Sequence, residues 1–137
     1  MTDTMNLRVL TLNIWMDPRD RAERDALLLQ GLEEHDADIV FLQEVLRTPE
    51  RDAYQIVKDS SPLHWHHASD YREIGWLPWG TAVGTRWEPK SVDIHTLPAA
   101  NGPHVWEMVL PLPIGVDMLF LGARPSWKFT DEAARVE

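Results

Sequence analysis

The sequence predicts an α/β fold: a mixed β-sheet with flanking helices. Three observations carry this. The first part of the chain runs strand, helix, strand, helix, the order of a parallel βαβ unit. From Leu63 onward the pattern changes to short strands punctuated by proline and glycine. Consecutive strands without helices between them pair antiparallel, so the sheet that they join is mixed.

The first element, Leu7 to Trp15, reads as a short strand with Asn13 near its end. Asp17 then reads as a helix N-cap and Pro18 as the first helical residue. This helix runs to about Glu34, with Ala22, Ala26, Leu29 and Leu32, joined by Leu28, as its inner stripe. Ile39-Val40-Phe41-Leu42 is an unbroken apolar run, suited to an inner strand covered on both faces. Gln43 and Glu44 follow where that strand leaves the sheet. Thr48-Pro49-Glu50 repeats the cap-and-proline device and starts a second helix carrying Ala53, Ile56 and Val57, which Ser60-Ser61-Pro62 stops. The later strands are Leu63 to Tyr71, Gly80 to Arg86, Ser91 to Leu97, His104 to Leu112 and Val116 to Leu121.

Asn13 and Glu44 lie about 30 residues apart, the span of one βαβ unit. Parallel neighbours bring their carboxyl ends together, so both side chains belong to one sheet edge, where open α/β sheets place ligands. A carboxylate and an amide oxygen are hard ligands. They suit Mg²⁺, which keeps several waters and uses few protein groups, and Mn²⁺ as its substitute. The plain alternative for Glu44 alone is a surface or capping residue just past a strand.

The motifs Leu12-Asn13-Ile14-Trp15 and Asp38-Ile39-Val40-Phe41-Leu42-Gln43-Glu44-Val45, separated by a helix, resemble the start of the endonuclease/exonuclease/phosphatase superfamily. The resemblance implies a DNase I-like fold, a four-layer α/β/β/α sandwich of which this chain is about half. It implies a Mg²⁺-dependent phosphoester hydrolase, with Glu44 the principal metal ligand and Asn13 supporting metal or phosphate. Gly80 to Arg86 resembles the family's small-residue strand, where Arg86 is a scaffold salt bridge. The resemblance breaks at Arg124, which stands where the family carries a Thr-His-Leu histidine. Arginine can clamp a phosphate through its fork of donors but cannot serve as an acid or base near neutral pH. A charged loop residue is the other reading of Arg124. The family's later motifs, which supply the general base and its histidine partner, have no counterpart in these residues. The expectation is a single partial domain over residues 1–137 with little or no activity by itself. Its exposed apolar face would be covered by a homodimer partner or the other half of the fold. The alternative is a noncatalytic half-domain, either an interaction module or a truncated gene product.

The net charge of −9 disfavours nucleic-acid polymers, whose binders usually show a basic face, and leaves the class of phosphoester open. There is no cysteine, which excludes disulfides and thiolate zinc and fits the cytoplasm. No apolar run approaches the ~18 residues of a membrane span. His64 and His66, facing one side of a strand, are the alternative metal ligands, for Zn²⁺, but no third ligand falls at a recognisable spacing. Trp76 and Trp79 read as the most exposed of the tryptophans around Pro78, with core packing the role of the rest.

Overall fold

The computed structural model describes residues 4–17, 19–69, 79–97 and 104–124. The elements in order are β1 (Val9–Asn13), α1 (Arg21–His35), β2 (Ile39–Leu46), α2 (Ala53–Ser60), β3 (His64–Ser69), β4 (Trp79–Thr85), β5 (Ser91–Thr96), β6 (His104–Pro111) and β7 (Asp117–Arg124). They form two sheets. The first is mixed, in the order β1-β2-β4-β3, with β1 and β2 parallel and the rest antiparallel. The second is antiparallel, in the order β5-β6-β7.

The alternation of side chains across the first sheet divides the core in two. Val40, Leu42, Val45, Trp65 and Ala82 face the helices, where they meet Ala53 and Val57 of α2 and Leu28, Leu29 and Leu32 of α1. Ile39, Phe41, Ala68 and Val83 face the second sheet and pack against Trp106, Met108 and Leu110 of β6 and Phe120 of β7. Phe41 and Phe120 meet edge to face at 6.5 Å. The described layers are therefore helices, sheet, sheet. The chain itself supplies a second sheet for the inner face that a single sheet would have left bare. Apolar side chains stay exposed on the outer face of β7, where Leu119 is 58% and Leu121 60% accessible, and at Val9 and Leu12 of the edge strand β1.

The helix starts differ from the sequence expectation. Asp17 does not cap α1: its carboxylate accepts from the backbone N–H and guanidinium of Arg19. The helix starts at Arg21, after a left-handed Asp20; Pro18 lies outside the described residues. Thr48 likewise closes a turn with Arg51, and the cap of α2 is Asp52, which accepts from Gln55 N–H. The inner stripe of α1 is also rotated. Arg21 and Asp25 are buried in line with Leu28 and Leu32, while Ala22 and Ala26 are exposed. The reason is electrostatic: Asp25 lies between Arg21, at 3.5 Å, and Arg51, at 2.7 Å, so the pairing draws this turn inward.

The small-residue strand does what its resemblance implied. A Cβ at Gly80 would lie 2.0 Å from the Ala68 carbonyl oxygen, and one at Gly84 would lie 2.8 Å from the Trp65 ring. Arg86 ties the start of β2 to the end of β4, with contacts of 2.6 Å to Asp38 and 2.8 Å to Asp36. Trp79 is a correction: it is buried in β4 rather than exposed, and Trp76 lies outside the described residues.

Candidate active site

β1 and β2 run parallel in a register that sets Asn13 beside Gln43, and Ile14 N–H donates to the Gln43 carbonyl. Immediately beyond, β2 bulges. The pairing of Leu42 with Ala82 resumes only at Val45 with Gly80, and Glu44 takes a left-handed φ of 56°. A bulge adds a residue to one strand and redirects its side chain. Here it turns Glu44 to the carboxyl edge of the sheet, next to the loop that follows β1. Its Oε2 accepts from Met16 N–H at 3.3 Å.

That loop, residues 14–20, is pinned from below. Asn13 Oδ1 accepts from Trp15 N–H at 2.9 Å. A backbone N–H can only donate, which fixes the amide's orientation: the oxygen faces the loop and the Nδ2 donor is left outward. Arg21 Nη1 donates to the Trp15 carbonyl at 3.0 Å. Arg24 donates to the carbonyls of Ile14, Trp15 and Asp17. Arg21 is only 3% accessible, and burial pulls its pKa below the usual arginine value although Asp25 opposes this. Trp15 has φ 56°, an outlier for a bulky residue, of the kind that costs ~1–3 kcal/mol. Asp17 is held at a pKa of about 2, chiefly by its hydrogen bonds to Arg19.

Arg124 ends β7 rather than sitting in a loop, paired across the strands with His104. Its guanidinium lies 4.2 Å from the Trp79 ring centroid. Trp79 in turn pairs with Leu46, just past the bulge, so Arg124 lies at the same end of the two sheets as Glu44. Between the sheets, Thr81 Oγ1 accepts from Trp106 Nε1–H at 2.8 Å and contacts His104 Nε2 at 2.6 Å. Sequence reasoning missed this buried pairing and the exposed Trp15. The alternation of β6 marked His104 as inward-facing, but nothing local marked Thr81 as its partner.

The residues present fit a magnesium-type site. They offer the Glu44 carboxylate at the sheet edge, with Asn13 beside it bonded through its oxygen to Trp15 N–H, and a magnesium-type ion accepts so few protein groups when waters and substrate oxygens complete its shell. Among the described residues, no group of three or more His, Asp or Glu side chains converges to hold a metal. Among the described residues, His64 and His66 are therefore joined by no third ligand. Burial, with His64 nearby, pushes the His66 pKa below its ordinary value. A groove of about 670 Å³ lies at the opposite end of the first sheet, between the C-terminal turns of both helices and Arg86.

The class that this fold and edge define is the DNase I-like α/β sandwich. Residues 10–135 match the Endonuclease/Exonuclease/phosphatase family, and the chain belongs to it. No curated protein matches it by sequence. Among solved structures, a humanized TDP2 of D. rerio superposes with a TM-score of 0.76 at 17% identity, over 94% of this chain and 51% of that one. Truncated C. elegans TDP2 gives 0.75 at 19% identity, over 94% and 50%. The human Nocturnin catalytic domain with bound sulfate gives 0.72 at 14%, over 94% and 53%. At these identities the likeness is one of fold. The chain spans about half the length of the structures it matches. Among the described residues, no helix is long and apolar enough to cross a membrane.

Proposed function

We propose that residues 1–137 form the metal-bearing part of a Mg²⁺-dependent phosphoester hydrolase. The observation that supports it best is Glu44, redirected by a bulge and a left-handed backbone to the edge where Asn13 ends β1. Glu44 would hold the ion, with Mn²⁺ as a substitute, and the Asn13 amide would support the ion or a phosphate oxygen. When bound, the ion stabilises charge developing on the phosphoryl oxygens. Asn13 Nδ2 supplies a neutral donor to an anion at the same edge. Arg124 adds a fixed positive charge at that end of the sandwich. The reading treats the chain as a partial domain, lacking a general base, with little turnover alone. It places the chain in the cytoplasm on its cysteine-free composition.

The test is a Mn²⁺ titration of the ¹⁵N-labelled chain. Saturable line broadening confined to residues around Asn13 and Glu44, and lost in Glu44→Ala, is the expected result. Broadening that is absent, or unchanged in Glu44→Ala, removes the reading. Hydrolysis of bis(4-nitrophenyl) phosphate with Mg²⁺ should not exceed that of the same variant.

The exposed Leu119 and Leu121 favour a second reading, a noncatalytic interaction module that pairs through the outer face of β7. Sedimentation of a stable dimer, made monomeric by Leu121→Asp, would support it.

A further inference from the structure

We propose that Trp15 is the surface on which a flat group of the substrate lies, and that the phosphoester taken at this edge is a small nucleotide. The inference rests on the reading of the Asn13/Glu44 edge as a phosphoester site. Trp15 is held in a left-handed conformation that a bulky side chain rarely adopts, yet the ring gains no core burial from it: 53% of the residue is accessible. Trp65, Trp79 and Trp106 are buried and Trp87 is half-buried, so Trp15 is the exposed indole among the described residues.

Everything around it fixes its backbone. Asn13 takes its N–H, Arg21 and Arg24 take its carbonyl, and the next residue donates to Glu44. Strain that the surroundings over-determine, next to candidate ligands, points to presentation rather than packing.

The charges beside the ring select the chemistry. The Arg24 guanidinium lies 4.7 Å and that of Arg19 5.7 Å from the ring centroid. Two cations there oppose a quaternary ammonium headgroup, which aromatic faces otherwise attract. An inositol phosphate has no π face to stack. A nucleobase has one, stacks on an aromatic ring whatever its sequence, and brings a phosphate that the neighbouring guanidiniums favour. Arg19 is itself largely exposed, so it can yield to an incoming base. The acidic chain argues against a long polymer and leaves the small nucleotide.

The experiment compares adenosine 5′-monophosphate, ribose 5-phosphate and phosphocholine, each titrated into the full chain with Mn²⁺ by calorimetry. The nucleotide is expected to bind about 10-fold more tightly than ribose 5-phosphate, the scale of one stacked base. Trp15→Ala should bring the nucleotide to the ribose phosphate level and leave ribose phosphate within about twofold, and Trp15→Phe should keep part of the preference. Equal binding of the two in the wild type, including no binding of either, overturns the inference, as does preferred phosphocholine. A Trp15→Ala that weakens both phosphates alike does so too. If it does not fold, the wild-type comparison and Trp15→Phe still decide. Mn²⁺ broadening at Glu44 separates the two proposals. Its absence with the nucleotide preference intact removes the hydrolase reading and leaves the stacking surface; the reverse pattern does the opposite.

Discussion

Replacing Arg24 with Gln should loosen the Asn13/Glu44 edge without unfolding the chain. The guanidinium donates to four loop carbonyls, those of Ile14, Trp15, Asp17 and, at the longer distance of 3.3 Å, Arg19. At ~0.5–1.5 kcal/mol net per bond, with water replacing some of them in this half-exposed loop, the staple contributes roughly 2 kcal/mol. The left-handed Trp15 opposes it by ~1–3 kcal/mol. The two are of the same size, so losing Arg24 leaves the loop near balance between its present form and a relaxed one. Much of the lost bonding returns as relieved strain, and global stability should fall by less than ~1 kcal/mol. Locally the effect is larger. Met16 N–H should leave Glu44, and its hydrogen exchange should speed by about 10-fold or more. Metal affinity falls in proportion to the competent fraction, so Mn²⁺ should bind roughly 3- to 10-fold more weakly. Amide exchange, a Mn²⁺ titration and a urea transition measure these three quantities on one sample. Arg19→Gln is the control, because among the described residues its side-chain hydrogen bonds go to Asp17 and to no loop carbonyl. Unchanged Met16 protection together with Mn²⁺ affinity within twofold of wild type would refute the staple. So would a large urea shift with Met16 still protected, since the arginine would then be supporting the whole fold.

Two further outcomes test the scaffold. Gly80→Ala sets a methyl against the Ala68 carbonyl, a backbone atom that cannot yield as a side chain would. It should lower the urea-derived stability by at least ~1–3 kcal/mol, and a neutral result would mean that β3 and β4 are not packed this closely. Asp38 titrates below the ordinary aspartate: burial pushes its carboxyl up, but Arg8 N–H and the Arg86 guanidinium together outweigh it. A depressed folded pKa contributes stability that is present above ~3.9, the unfolded value, and lost as pH falls through the folded one. The urea midpoint should therefore drop below about pH 4, and the drop should shrink in Asp38→Asn. An equal drop in that variant would move the acid sensitivity elsewhere.

The strands were legible because their signal is local. The apolar run of β2, the small residues of β4 and the alternation of β6 each state which face is covered. None says by what, so the second sheet, joined through contacts such as Phe41 with Phe120, could not be read from them. The helix starts were misread because Asp-Pro and Thr-Pro satisfy two geometries, and here both polar side chains close turns ahead of the helix. A buried Arg21–Asp25 pair looks like a solvent face in any periodicity. That the ends of β1 and β2 share one sheet edge was legible from the length of a βαβ unit. The left-handed backbone of Glu44 was not, since glutamate does not demand a positive φ. Trp79 read as exposed because its neighbours are prolines and tryptophans. In the fold it is a strand residue covered by Arg124.

The placement of backbone strain carries its own argument about function. Four described non-glycine residues have positive φ: Trp15, Asp20, Asp36 and Glu44. Asp20 and Asp36 flank α1, and aspartate tolerates that conformation better than most side chains. Trp15 and Glu44 have no such excuse, and Met16 N–H links them across the edge. Beneath them lies a third costly feature, the buried Arg21, compensated by Asp25 and by the Trp15 carbonyl. Packing alone would favour a regular strand end, a glycine in the loop and an apolar residue at position 21. Three departures within one loop and its support stay together only if they hold something in place. What they hold is a carboxylate, an amide and an exposed indole on one edge.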